Sequence, residues 1–211
     1  MPDFAIERTA RDAGHIRICG VDEAGRGPLA GPVVAAAVIL DPGQLEKPLW
    51  QKLDDSKKMT AGARDLLFGE IMATADVGVG ICDVDDIDLL NILGATLRAM
   101  ALAVGRLDPA PGLALIDGNR LPVLTCAAES FVKGDARSLS IAAASVIAKV
   151  TRDRIMQQLA TEFPGYGWER NAGYGTAEHM AALQRLGATP HHRKSFAPVR
   201  NVLEAKKNPL I

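Results

Sequence analysis

Aromatic side chains make up only 4% of the 211 residues, so any core this chain builds must be packed mainly from Ala, Val, Leu and Ile. Cysteine is also sparse. Cys19, Cys82 and Cys126 are an odd number, each inside or beside an apolar run, so buried, reduced core thiols explain them better than a disulfide framework or a metal cluster. No uninterrupted apolar stretch approaches the roughly 20 residues of a membrane span. The segment Met1 to His15 is polar, carries acids early and lacks an apolar signal region, so export is not expected and a cytoplasmic location is. Charge of one sign is missing as well. The formal net charge is −1, which excludes the global basic footprint of many nucleic-acid binders. The charges are uneven, however. Asp83, Asp85, Asp86 and Asp88 cluster, whereas Lys52, Lys57, Lys58, Lys133, Arg137, Lys149, Arg152 and Arg154 flank other segments, leaving room for a local basic face.

What is present is the patterning of one α/β domain, the length being short for two. Ile16 to Asp22 and the apolar, β-branched Pro32 to Leu40 read as buried strands separated by a Gly-rich turn, which suggests antiparallel pairing. A Thr cap predicts a helix over Thr60 to Ala75, and Asp76 to Cys82 alternates like a strand that its glycines weaken. Asp85 or Asp88 is expected to cap one long helix to about Arg106. Leu113 to Asp117 and Ala128 to Val132 complete the strands. Ser138 to about Thr161 is a helix whose Ala142-Ala143-Ala144 run allows close packing on a sheet, and a further helix runs from Thr176 to Leu186. Together they predict a mixed sheet covered by helices.

Acids at strand ends carry the chemistry. Asp22 and Glu23 end the first strand, Asp117 ends the fourth, and Asp135 precedes the long helix. Each alone can be a turn former or a helix cap. Two adjacent acids ending a buried strand repel each other, and a cation offsets that. Neighbouring strand residues point to opposite faces, so Asp22 and Glu23 are expected to share a site only if the strand breaks there. All-oxygen ligands with no nearby His or Cys favour Mg²⁺ or Mn²⁺, as in two-metal phosphoryl chemistry. The turn Gly25-Arg26-Gly27, with Gly31, looks like a dinucleotide fingerprint, but that motif needs a helix next and here a strand follows. Close backbone approach to a ligand is the better reading.

Val21 to Pro32 (VDEAGRGPLAGP), Asp54 to Thr60 (DDSKKMT), Leu115 to Asn119 (LIDGN), Lys133 to Asp153 (KGDARSLSIAAASVIAKVTRD), Gly173 to His179 (GYGTAEH) and His192 to Pro198 (HRKSFAP) resemble the bacterial type 2 ribonuclease H family, in the family's order and over nearly the whole chain. The resemblance implies an α/β, ribonuclease-H-like mixed β-sheet flanked by α-helices, with a C-terminal helical extension. This catalytic domain would span 16–200, between tails at 1–15 and 201–211. It implies Asp22, Glu23, Asp117 and Asp135 as ligands of two divalent ions, Mn²⁺ or Mg²⁺. It further implies Gly25, Arg26 and Gly27 against the ribose 2′-hydroxyl, Tyr174 on the neighbouring sugar, and Ser56, Lys57 and Lys58 on phosphate. The related type 3 enzymes usually have an extra N-terminal domain and a glutamate at the fourth carboxylate position. Asp135 and the few residues before Ile16 point to type 2.

The implied activity is hydrolysis of RNA in RNA–DNA hybrids, and of DNA duplexes containing ribonucleotides, by a monomer that does not engage membranes. Two other classes stay in view. A phosphohydrolase of small nucleotides would need a closed pocket, which dispersed basic groups do not suit. A non-catalytic hybrid binder would suffer repulsion between four acids and phosphate.

Overall fold

In the computed structural model, which describes residues 1–41, 43, 53 and 59–207, the strands form one five-stranded sheet ordered β3-β2-β1-β4-β5. Its members are β1 (Ile18–Ala24), β2 (Val33–Ile39), β3 (Asp76–Cys82), β4 (Leu113–Asp117) and β5 (Ala127–Phe131). The antiparallel pairing expected of the first two strands is present, β3 continues it on the far side of β2, and β4 and β5 run parallel to β1. The helices are α1 (Ala5–Asp12), α2 (Ala61–Thr74), α3 (Val84–Val104), α4 (Leu139–Glu162), α5 (Trp168–Asn171), α6 (Ala177–Leu186) and α7 (Ala197–Lys207).

β2 is buried on both faces, which is why it reads as an unbroken apolar run. Its odd-numbered residues, with Cys19 and Val21, pack under α3; Ala36 and Val38 pack under α2 and α4. With so few aromatics, small side chains bring the layers close. A Cβ on Gly20 would overlap the Ser140 backbone at the start of α4, and Cβ atoms on Gly78 and Gly80 would overlap the α3 carbonyls of Ala103 and Ala99. The glycines that weaken β3 as a sequence signal are therefore what lets α3 lie against it. α3 is long and apolar enough to cross a membrane by length and composition, but it packs against β2 and β3 as a core helix.

The structure departs from expectation at four places. α3 is capped by Asp83, whose side chain accepts from Asp86 N at 3.0 Å, rather than by Asp85 or Asp88. It is also interrupted at Asn91 (φ 58°), whose Oδ1 takes the N–H groups of Leu93 and Gly94 and so starts the second half. The first fifteen residues contain α1 rather than a tail: the buried Glu7 accepts hydrogen bonds from Ser138 Oγ at 2.6 Å and from Ser140 N and Oγ at 3.0 and 2.6 Å, pinning α1 to the start of α4. At the other end, α7 runs through residues 201–207, which were expected as tail. Ser56, Lys57 and Lys58 lie outside the described residues.

Candidate active site

The strand does not break at Asp22 and Glu23. β1 stays paired with β2 through Ala24, but its partner on the other side is lost after Val21, because β4 ends at Asp117. The end of β1 thus has a free edge. Asp22 faces α4 and Glu23 faces α3, and both reach the space beyond β4. Asp117 follows Ile116, the partner of Val21, and so lies beside Asp22 on the α4 face. Asp135 sits in a 3-10 turn (Gly134–Ala136) just ahead of α4. Lys133 opens this turn in the left-handed conformation, and Gly134 N donates to Asp117 Oδ1 at 2.7 Å, tying the turn to the end of β4.

The buried Asp22 has a pKa raised well above the carboxylate range, first by loss of solvent, then by the charges of Glu23 and Asp117, and also by Asp135. Its Oδ1 takes Glu23 N at 2.7 Å, and Arg26 pairs with Glu23 at 3.2 Å. Negative charge is thus concentrated where little water can screen it, a donor set that suits a hard divalent cation. Among the described residues no three ligating side chains form a ready-made metal cage. Mg²⁺ commonly takes one or two carboxylates, keeps waters and accepts substrate oxygens, so an open arrangement fits it.

Asp22 and Glu23 open into a cleft of about 560 Å³ lined also by Gly25, Arg26, Gly27, Lys149 and Tyr174, among others. Asp117 lines an adjoining depression together with Glu23 and Arg26. The two glycines of the turn differ in role. Gly25 has φ +96°, and a Cβ there would overlap the Arg152 side chain, so its need is structural. A Cβ on Gly27 would meet only the Tyr174 ring, at 3.4 Å, so Gly27 leaves the cleft open opposite an aromatic that is 47% exposed.

Sequence reasoning missed what stands behind this turn. Arg152 is buried, and donates to the carbonyls of Pro32, Ala30 and Ala172 at 2.9, 3.1 and 3.0 Å. Arg193 is buried too, bonding the carbonyls of Gly25, Arg26, Gly31 and Pro32. Burial is the main cause lowering both guanidinium pKa values, to about 10 and about 9, which leaves both charged at neutral pH. His192 is buried as well. Thr189 N donates to His192 Nδ1 at 2.9 Å, so the proton of neutral His192 lies on Nε2 and faces His179 Nε2 at 3.1 Å. Trp168 Nε1 also donates to His179 Nε2, at 3.0 Å, leaving His179 Nδ1–H to donate to the Tyr174 carbonyl at 2.9 Å. A chain of neutral imidazoles therefore holds the backbone of Tyr174. Nothing in a basic-looking segment distinguishes a buried Arg or His from a solvated one.

The sequence model of the family described as Ribonuclease HII matches residues 19–199. A ribonuclease HII of Rhodospirillum rubrum is 58% identical over 96% of this chain and 92% of that protein. Among solved structures, the ribonuclease H2 of Pyrococcus horikoshii superposes with TM-score 0.74 at 25% identity, covering 91% of this chain and 99% of that one. The ribonuclease HII of Archaeoglobus fulgidus, solved in complex with PCNA, gives TM-score 0.74 at 26% identity over 86% and 95%.

Proposed function

The chain belongs to the ribonuclease HII family and is an endoribonuclease of RNA–DNA hybrids, and we propose that it also cuts 5′ to single ribonucleotides embedded in duplex DNA, leaving 3′-hydroxyl and 5′-phosphate ends. The observation that carries this reading is the gathering of Asp117 and Asp135 beside Asp22 at one end of β1, where Asp22 and Glu23 line a cleft whose wall is Gly25-Arg26-Gly27 facing Tyr174. Asp22, Glu23, Asp117 and Asp135 would hold two Mg²⁺ or Mn²⁺ ions. When bound, such ions lower the pKa of an attacking water and stabilise the leaving oxygen.

The chain's own residues do the rest. The Gly25–Gly27 backbone reads the 2′-hydroxyl, the one group that marks a ribonucleotide at a given site. Tyr174 stacks on the next sugar, and Lys149 lies at the cleft to meet phosphate. The thiols Cys19 and Cys82 are free and buried, which suits a protein working reduced in the cytoplasm; on this reading it acts as a monomer in ribonucleotide removal during replication and repair.

The test is cleavage of a DNA duplex carrying one ribonucleotide with Mg²⁺ or Mn²⁺, product ends being mapped against an EDTA control. Tyr174→Ala is expected to slow this substrate at least tenfold, and a long RNA–DNA hybrid much less, because a hybrid offers many registers. Equal loss on both substrates would mean that Tyr174 supports the site without sensing the junction.

A further inference from the structure

We infer that Arg193 is a positioning residue for ribose recognition: by holding the carbonyls of Gly25 and Arg26 inside the protein, it turns the amides of Arg26 and Gly27 out into the cleft. This rests on the reading that the 2′-hydroxyl is met at that turn. The argument is geometric. In a planar trans peptide the C=O and the following N–H point in opposite directions. Arg193 Nη2 donates to Gly25 O at 2.6 Å, and Nη1 donates to Arg26 O at 2.9 Å. The N–H groups sharing those two peptide planes are those of Arg26 and Gly27. Arg193 is 0% exposed, so directions away from it lead outward, and Gly25, Arg26 and Gly27 all line the cleft.

The same guanidinium donates through Nε to Gly31 O at 3.0 Å and through Nη2 to Gly31 and Pro32 carbonyls at 2.9 and 3.2 Å. One planar fork therefore clamps both limbs of the turn, and its own backbone is fixed by Arg193 N donating to Leu29 O at 2.9 Å. Only guanidinium has that many donors in a rigid plane; a lysine keeps the charge and loses the fork. Among the described residues Arg193 forms no ion pair, so its donors are spent entirely on backbone. Two successive outward amides make a small donor pair that can grip a hydroxyl oxygen, and a deoxyribonucleotide leaves that pair unmatched.

The experiment measures binding in Ca²⁺ of two duplexes of one sequence, with and without a single ribonucleotide, by wild type, Arg193→Lys and Ile71→Ala. Ile71 is a buried α2 residue on the far side of the core, so its truncation matches a loss of stability without touching the turn. The expected result is a clear ribonucleotide preference in wild type and Ile71→Ala, and a preference reduced at least tenfold, or abolished, in Arg193→Lys. A folded Arg193→Lys that keeps the wild-type preference overturns the assignment. A wild type without preference instead overturns the ribose reading on which it rests. Should Arg193→Lys not fold, amide exchange in the wild type decides: the Arg26 and Gly27 amides should exchange rapidly in the free protein and slow on adding the ribonucleotide duplex only. Protection of these amides in the free protein would mean that they point inward, and the proposal fails.

Discussion

Asp22 is where stability and chemistry oppose each other. Its carboxyl is buried beside three other acids, and its raised pKa means that the folded, metal-free protein binds a proton more readily there than the unfolded chain does. A raised acid pKa stabilises fully only below the unfolded value and loses that contribution as pH rises. At neutral pH without metal, Asp22 therefore works against folding. Asp22→Asn removes the charge at nearly constant shape. It should abolish most cleavage yet raise the melting midpoint in EDTA, by about 2–4 °C for each kcal/mol of repulsion relieved. Thermal melts in EDTA, paired with cleavage in Mg²⁺, check both halves; a lower midpoint would mean that the carboxylate is structurally stabilising. His192 behaves in the opposite sense. Burial and the neighbouring imidazoles push its pKa down to about 3, so the unfolded chain takes up the proton first as pH falls. Its contribution is present above pH ~6.5 and is lost progressively toward pH 3. Between pH 7 and 5 the loss should be about 2 kcal/mol. Urea midpoints at the two pH values should therefore differ less for His192→Asn than for wild type.

The elements show which parts of the fold are legible in a sequence. β3 and β4 lie where alternation and an apolar run place them, because β3 buries every second residue in its second half and β4 is buried on both faces. Ser138 and Thr176 cap α4 and α6, and Thr60 caps α2, because a hydroxyl before a helix has one local use. α1 was illegible because its key residue, Glu7, is a charged side chain buried against hydroxyls that lie more than 130 positions away. The break in α3 at Asn91 also escaped, since one Asn in an apolar helix has no period to disturb. Asp22, Glu23 and Asp117 stand out in the sequence by ending strands and Asp135 by preceding a helix, but what brings them together does not: it is the early end of β4, a matter of strand length against neighbour. Gly20 belongs at this scale too. Its missing side chain lets the start of α4, and with it Asp135, approach β1. Gly20→Ala should destabilise the protein by about 1–3 kcal/mol through overpacking. It should also cost more activity than a surface change of equal stability, as denaturation curves and cleavage rates would show.

At the scale of the molecule, a net charge of −1 conceals a local arrangement. Acids gather at the end of β1 and the start of α3, and Asp88 is spent on the backbone N–H groups of Lys194 and Ser195. Arg154 is engaged by Asp65 and stacks over Phe68, so it is a weak phosphate ligand. Lys149 lines the cleft with Asp153 at 2.6 Å, and a phosphate there would compete for its ammonium. Substrate binding in Ca²⁺ should therefore weaken with salt despite the neutral total, and Lys149→Gln should flatten the log–log slope by about one. An unchanged slope would leave Lys149 as a partner of Asp153 alone. The bonds from Arg193 to the turn also carry a temporal consequence. They join residues separated by 161 to 168 positions in the chain. At roughly 5–20 residues per second, synthesis reaches Arg193 about 8–30 s after the turn has been made. All four carboxylates and all five strands precede it. A growing chain halted before residue 193 would carry every acid of the site while the turn beside them still lacked its clamp, so the acids are made well before the turn they share is set.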